Sequence, residues 1–279
     1  MKSMLYDVVR WLAFGAIALV IFSIGLGIFG SWHDKWSGYN AASSVSDGYC
    51  NIAIIPVNGD MYATAAYDEY GTVLPGATYD DFVYALRAAE YDPNIDGVVV
   101  SIDSLGGSPY AGEGIANELK RSPLTSAAVI RDMGLSAGYW AATGADRIFA
   151  SAVSDVGSIG ATMSYLEYAQ QNEDSGLRYV EIASGPYKNS GDPDRFLTEE
   201  EETKFQESID FLANVFVQAV ALNRNMAREV VEALADGSSY AGPVALQHGL
   251  IDQLGDQESA RLWFAESLAM NPQDVVLCE

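Results

Sequence analysis

Short β-branched apolar runs alternate along this chain with segments whose apolar residues recur at helical spacing, and that alternation restricts the fold more than any other feature. Residues 51–57 (NIAIIPV) read as a strand closed by the turn signal Asn58-Gly59. From Thr78 an N-cap threonine precedes two acids, then Phe82, Leu86 and Ala89 fall on one helical face. Residues 97–102 (GVVVSI) form a buried-strand run. A helix over 109–119, a strand over 126–130, a helix starting near Ser136 and strands over 147–150 and 178–183 follow. Such β-α units predict an α/β fold with helices packed outside a largely parallel sheet. Thr198 and Glu201 then spell a capping box, and Phe205, Ile209, Leu212 and Phe216 mark one face of a long helix. Further helices are expected over 227–235 and 258–270, so residues 49–279 make one α/β domain with a helical C-terminal part.

Charge and cysteine usage narrow the function. With Lys+Arg 15 against Asp+Glu 38, the net charge of −23 repels phosphate backbones. Nucleic-acid binding and polyphosphate cofactors are therefore not expected. Cys50 and Cys278 are too few for a cysteine metal site, so no metal and no cofactor are expected. Such sparse usage favours two free thiols, with a pairing as the alternative if the termini meet.

Residues 11–30 (WLAFGAIALVIFSIGLGIFG) carry no charge and match the thickness of a bilayer core as one helix. The run is longer than the apolar region of a cleaved signal peptide and lacks a clean small-residue cleavage site, so an uncleaved anchor is expected. Lys2 and Arg10 before the span place residues 1–10 in the cytoplasm, with a tether over 31–48 and the 49–279 domain outside. Up to residue 36, Lys2, Arg10 and Lys35 outnumber Asp7 and Asp34 by one, so the remainder carries −24.

Three local features bear on chemistry. Asp103-Ser104-Leu105-Gly106-Gly107-Ser108 follows a predicted parallel strand, at the sheet edge where ligands of open α/β sheets bind. Its adjacent glycines let backbone N–H groups face a bound oxygen, although an ordinary strand-to-helix turn would look the same. Gly134 to Trp140 (GLSAGYW) places Ser136 at a helix start, as a nucleophile beside the N–H of Ala137 or as a plain N-cap. A serine nucleophile needs a base. His33 lies beside the apolar span, and His248 sits in a helix-like stretch suited to packing. Lys120 and Lys204 occupy ordinary solvated helix positions. Lys188, in the loop SGPYKNSG, is the remaining base, and it can serve only if desolvation lowers its pKa from about 10.4.

Taken together, DSLGGS (103–108), LSAGYWAA (135–142), VGSIGA (156–161), SGPYKNSG (184–191) and YAGPVALQHGLIDQLG (240–255) resemble the membrane-anchored signal peptide peptidases of the SppA type. The resemblance runs from about residue 51 to 255. It implies a ClpP/crotonase-like fold and a Ser/Lys-dyad serine peptidase, with Ser136 as nucleophile, Lys188 as general base, and Ala137 with Gly106 or Gly107 as oxyanion donors. It also implies a homo-oligomer in which serine and lysine of one site come from neighbouring protomers, membrane lipid around the anchor, and signal peptides or other short hydrophobic peptides as substrates. The chain departs from the pattern with Leu105 where the family has Pro and Ala137 where it has Gly; neither change removes a backbone N–H. A catalytically inactive membrane scaffold of the same fold and a crotonase-fold acyl-CoA enzyme are the competing readings.

Overall fold

Val98, Val99 and Val100 are all fully buried, so both faces of the strand that carries them are covered. The computed structural model describes residues 45–278. In chain order these form β1 (Ile52–Tyr62), β2 (Ala77–Thr78), α1 (Tyr79–Tyr91), β3 (Gly97–Gly107), α2 (Pro109–Arg121), β4 (Thr125–Leu135), α3 (Ala137–Ala142), β5 (Arg147–Ala150) and β6 (Asp155–Gly157). Then come α4 (Ala169–Asp174), α5 (Glu199–Asn223), α6 (Arg228–Glu232), β7 (Ser239–Ala241), α7 (Gly242–Gln247), β8 (Gln253–Leu254) and α8 (Gln257–Ser267). The sheet runs β2-β1-β3-β4-β5-β8 with every neighbour parallel, while β6 pairs in parallel with the far end of β4 and antiparallel with β7. The expected α/β class is thus present.

Period-2 alternation divides the core between the two faces. Val98, Val100, Ile102, Ala128 and Ile130 face one cluster, with Phe82 and Leu86 of α1, Ile115 and Leu119 of α2, and Phe216, Val217 and Val220 of α5. Val99, Ala127, Val129 and Phe149 face the other, closed by Ala260, Phe264 and Ala265 of α8. Each fully buried Phe or Ile contributes about 1.5–3 kcal/mol through lost water contact. Local chemistry sets the helix starts: the Thr78 hydroxyl accepts the Asp81 N–H at 3.0 Å, and Thr198 and Glu201 form a reciprocal capping box at the head of α5.

Four expectations are corrected or fall outside the described residues. The Asn58-Gly59 signal does not end β1, which continues to Tyr62 and absorbs Gly59, at φ 73°, as a register shift against β3. The extra residue of this irregularity lies on β3, where Asp103 to Gly106 is three steps against two from Asn58 to Asp60, so β1 runs on through Gly59 while the ladder holds on both sides. The strand expected over 178–183 does not form, because it has no ladder partner among the described residues, and Val180 and Ile182 point to solvent. The cysteines are not free: Cys50 and Cys278 form a disulfide, 228 residues apart in sequence with Cα atoms 5.1 Å apart. The pairing follows from the C-terminal tail lying along β1, where the Cys278 N–H donates to the Ile52 carbonyl at 2.8 Å and the Asn51 N–H to the Val276 carbonyl at 2.9 Å. The expected span over 11–30 and the first part of the tether lie outside the described residues. Among the described residues no helix is long and apolar enough to cross a membrane.

Candidate active site

The long strands β3 and β4 run side by side and both break register near their C-terminal ends, and the candidate residues sit there. Gly134, two residues before Ser136, pairs with Ser104, two residues before Gly106, so the serine and the paired glycines are brought to one edge of the sheet. An added Cβ on Gly106 would stand 2.7 Å from the Ser136 Cβ and 3.0 Å from the Ala137 nitrogen. Only a residue without a side chain allows that approach.

Ser136 has φ 51° and ψ −124°, a conformation that favours glycine and costs any other residue about 1–3 kcal/mol. Its N–H donates to the Gly157 carbonyl at 2.8 Å, and its carbonyl accepts from the Trp140 N–H at 2.9 Å, so strand and helix hold the backbone from both sides. A serine at a helix start ordinarily caps it. Here the hydroxyl makes no capping hydrogen bond, which leaves it available to the cavity in front of it.

That cavity is walled by Trp140, Leu212 and Phe216, rimmed by Gly107, Pro109, Gly160 and Ala161, and has Ser136 and Ala137 at its base. Its free volume of about 20 Å³ admits a water or two. Trp140 and Phe216 stack with ring centroids 4.6 Å apart and planes 6° off parallel, fixing α5 over α3. Behind them, Tyr139 is fully buried, donates to the Leu250 carbonyl at 2.9 Å, and is pushed far above the usual phenol range by that burial, so it stays neutral.

The two glycines do not stand alike. The Gly106 N–H donates to the Ser104 hydroxyl at 3.0 Å and Gly106 does not line the cavity, whereas Gly107 does. Gly107 and Ala137 thus border the cavity together, and Gly106 is the position where Ser136 needs space.

Lys188 is exposed and is not among the residues lining the Ser136 cavity; its ammonium makes no ion pair among the described residues. Its loop is nonetheless anchored. Arg195 donates to the Asn189 carbonyl at 3.0 Å and to both carboxylate oxygens of Glu201, its Nε lies 3.3 Å from a Glu181 carboxylate oxygen as an ion pair, and Tyr179 donates to Asp192 at 2.9 Å. The guanidinium of Arg195 pulls the Glu201 carboxyl down to about 2, helped by the N–H of Thr198. Among the described residues no group of His, Cys, Asp and Glu could hold a metal ion. His248 is exposed and packs edge-on against Tyr240 with centroids 5.0 Å apart.

Of the residues singled out in the sequence, Ser136, Ala137 and Gly107 line one cavity, Gly106 and Lys188 do not, and the cavity walls were not expected. Leu212 and Phe216 carried a signal, since they share one face of α5, yet nothing local said that this face closes over Trp140. Gly160 and Ala161 were visible only as part of the VGSIGA segment.

A serine on a strained strand-to-helix turn, with backbone donors beside it and an apolar cavity ahead, is the layout of a serine hydrolase. Residues 118–271 match the model of peptidase family S49. A putative protease of Synechocystis is 34% identical over 215 residues, covering 76% of this chain and 77% of the relative. A putative signal peptide peptidase SppA of Enterococcus faecium is 34% identical over 178 residues, covering 63% of this chain and 52% of the relative, so the chain spans about half the length of that protein. Among solved structures, a membrane-bound stomatin-specific protease is similar with a TM-score of 0.48 at 16% identity, covering 76% of this chain and 84% of the other. The chain belongs to peptidase family S49, a family of serine peptidases.

Proposed function

We propose that this protein is a membrane-anchored endopeptidase that cleaves signal peptides or other short hydrophobic peptides through an acyl-enzyme on Ser136. The neutral amine of Lys188 takes the Ser136 proton as the hydroxyl attacks the scissile carbonyl. The N–H groups of Gly107 and Ala137 receive the developing oxyanion. The lysine returns the proton to the leaving amine, and water then releases the acyl group by the same route. One observation carries this reading: Ser136 holds a costly backbone conformation without using its hydroxyl as a cap.

Because Lys188 is exposed and outside the cavity in the single chain, the dyad is completed between neighbouring protomers of a homo-oligomer. The ClpP/crotonase-like organisation of the domain over 49–279, implied by the sequence motifs, provides for such an assembly. The cavity's apolar walls suit a small apolar side chain beside the scissile bond. The Cys50–Cys278 disulfide supports an extracytoplasmic domain, since such bonds persist in oxidising compartments. Residues 11–30 then form the single membrane span, surrounded by lipid.

The same observation about Lys188 supports one competing reading, a scaffold of this fold without catalysis. Labelling with an activity-based serine probe decides between them. A covalent adduct on Ser136, with peptide cleavage abolished in both Ser136→Ala and Lys188→Ala, is expected. Full cleavage by either purified variant would refute the dyad.

A further inference from the structure

Ser104 is 1% exposed, belongs to the C-terminal part of β3, and does not line the Ser136 cavity. The ladder is irregular on both sides of it. Against β1 the register passes from Asn58↔Asp103 to Asp60↔Gly106, and against β4 from Ile102↔Ile130 to Ser104↔Gly134. A break of this kind takes backbone donors and acceptors out of regular pairing, and buried ones need other partners. The Ser104 hydroxyl supplies them: it donates to the Gly59 carbonyl at 2.6 Å and accepts from the Gly106 N–H at 3.0 Å. One side chain thus closes the gap in both directions.

The two glycines that follow have φ of 108° and 140°, a region with little intrinsic preference for a single orientation. Something must hold them. The Gly107 side is limited by Met61, whose carbonyl would be 2.4 Å from an added Cβ, and the Gly106 side by the bond to Ser104. The opposite flank of Ser104 is equally constrained, since a Cβ on Gly138 of α3 would come within 3.2 Å of its Cβ. Ser104 therefore bonds the glycine turn through its hydroxyl and leaves little room for a side chain at Gly138 on the helix carrying Ala137.

We infer that Ser104 is a positioning residue for the oxyanion site: its hydroxyl engages the Gly106 N–H, so that the next peptide presents the Gly107 N–H to the cavity alongside that of Ala137. This rests on Ser136 being the nucleophile, and it assigns Ser104 no contact with substrate. A buried serine that merely satisfies its hydroxyl would add stability and nothing else.

The test compares the full-length wild type with Ser104→Ala and Ser104→Cys, measuring kcat and KM on a hydrophobic peptide and the inhibition constant of a peptide aldehyde. The aldehyde binds as a tetrahedral adduct and so draws on the oxyanion donors. In Ser104→Ala kcat is expected to fall about ten- to a hundred-fold with KM nearly unchanged, and aldehyde affinity to fall in step. Ser104→Cys, with a weaker donor, is expected to lie between. Unchanged aldehyde affinity in a folded Ser104→Ala, or a loss accounted for by its unfolded fraction, overturns the inference. If Ser104→Ala does not fold, the same two outcomes are read from Ser104→Cys. Amide hydrogen exchange separates a failure of this inference from failure of the nucleophile assignment. A Gly106 amide exchanging equally fast in wild type and variant overturns the inference whether or not the wild type cleaves peptide.

Discussion

The Cβ of Ser136 occupies the space that a side chain on Gly106 would need, the two lying 2.7 Å apart in an alanine built at that position. The motif's first glycine is therefore required by the serine as well as by its own φ of 108°. Gly106→Ala should destabilise the domain by about 2–4 kcal/mol through overpacking and strain, and should displace Ser136. Urea unfolding and peptide cleavage on the same preparation check both; wild-type values in either would show that the turn yields more easily than the geometry implies.

Ser136 itself should be a liability to the fold. At φ 51° and ψ −124° a glycine relieves the strain, so Ser136→Gly is expected to gain about 1–2 kcal/mol of stability while losing all peptidase activity. Ser136→Ala keeps the strain and should gain little. The comparison of the two midpoints is the measurement, and equal midpoints would remove strain from the account.

If serine and lysine of one site come from neighbouring protomers, inactive variants should rescue each other. Subunits of Ser136→Ala and Lys188→Ala, dissociated, mixed one to one and reassembled, are expected to regain activity at about a quarter of the sites. Activity staying at background in an assembly shown to contain both variants would confine the dyad to one chain or dispose of it.

The disulfide closes nearly the whole domain. For a separation of 228 residues the chain-entropy model puts its contribution at about 5 kcal/mol. Reductant, or Cys50→Ser, should lower the urea midpoint accordingly and release the tail from β1, visible as faster exchange of the Cys278 amide, which donates to Ile52. A midpoint insensitive to reductant would contradict this.

Acid should act through Glu201. Its folded-state pKa, held down to about 2 chiefly by Arg195, lies below the ordinary value of 4.5. A depressed carboxyl contributes stability that is complete above the unfolded pKa and lost as pH falls through the folded one. Part of the acid destabilisation between about pH 4.5 and 2 should therefore vanish in Glu201→Gln, with loosening of the loop around Lys188, because Arg195 also bonds the Asn189 carbonyl. Parallel melting-temperature curves for the two proteins over that range would exclude Glu201 as a source.

What could be read from the chain alone was whatever neighbouring residues encode together. The valine run of β3, the Thr198 and Glu201 cap, the strand at Arg147 and the serine set at a helix start all depend on spacing within a few residues, and all are present. Strands of two or three residues such as β2, β6, β7 and β8 offer too few positions for a period to show. The remaining decisions needed partners distant in sequence. Asn58-Gly59 stayed inside β1 because β3 holds the strand on both sides of it, and 178–183 stayed unpaired because no described strand lies beside it. Cys50 met Cys278 because the tail returns to β1, and Gly107 rather than Gly106 lines the cavity while the Gly106 N–H donates to the Ser104 hydroxyl. Hydrogen-bond partners and free space are properties of the assembled sheet, and no local pattern of residues specifies them.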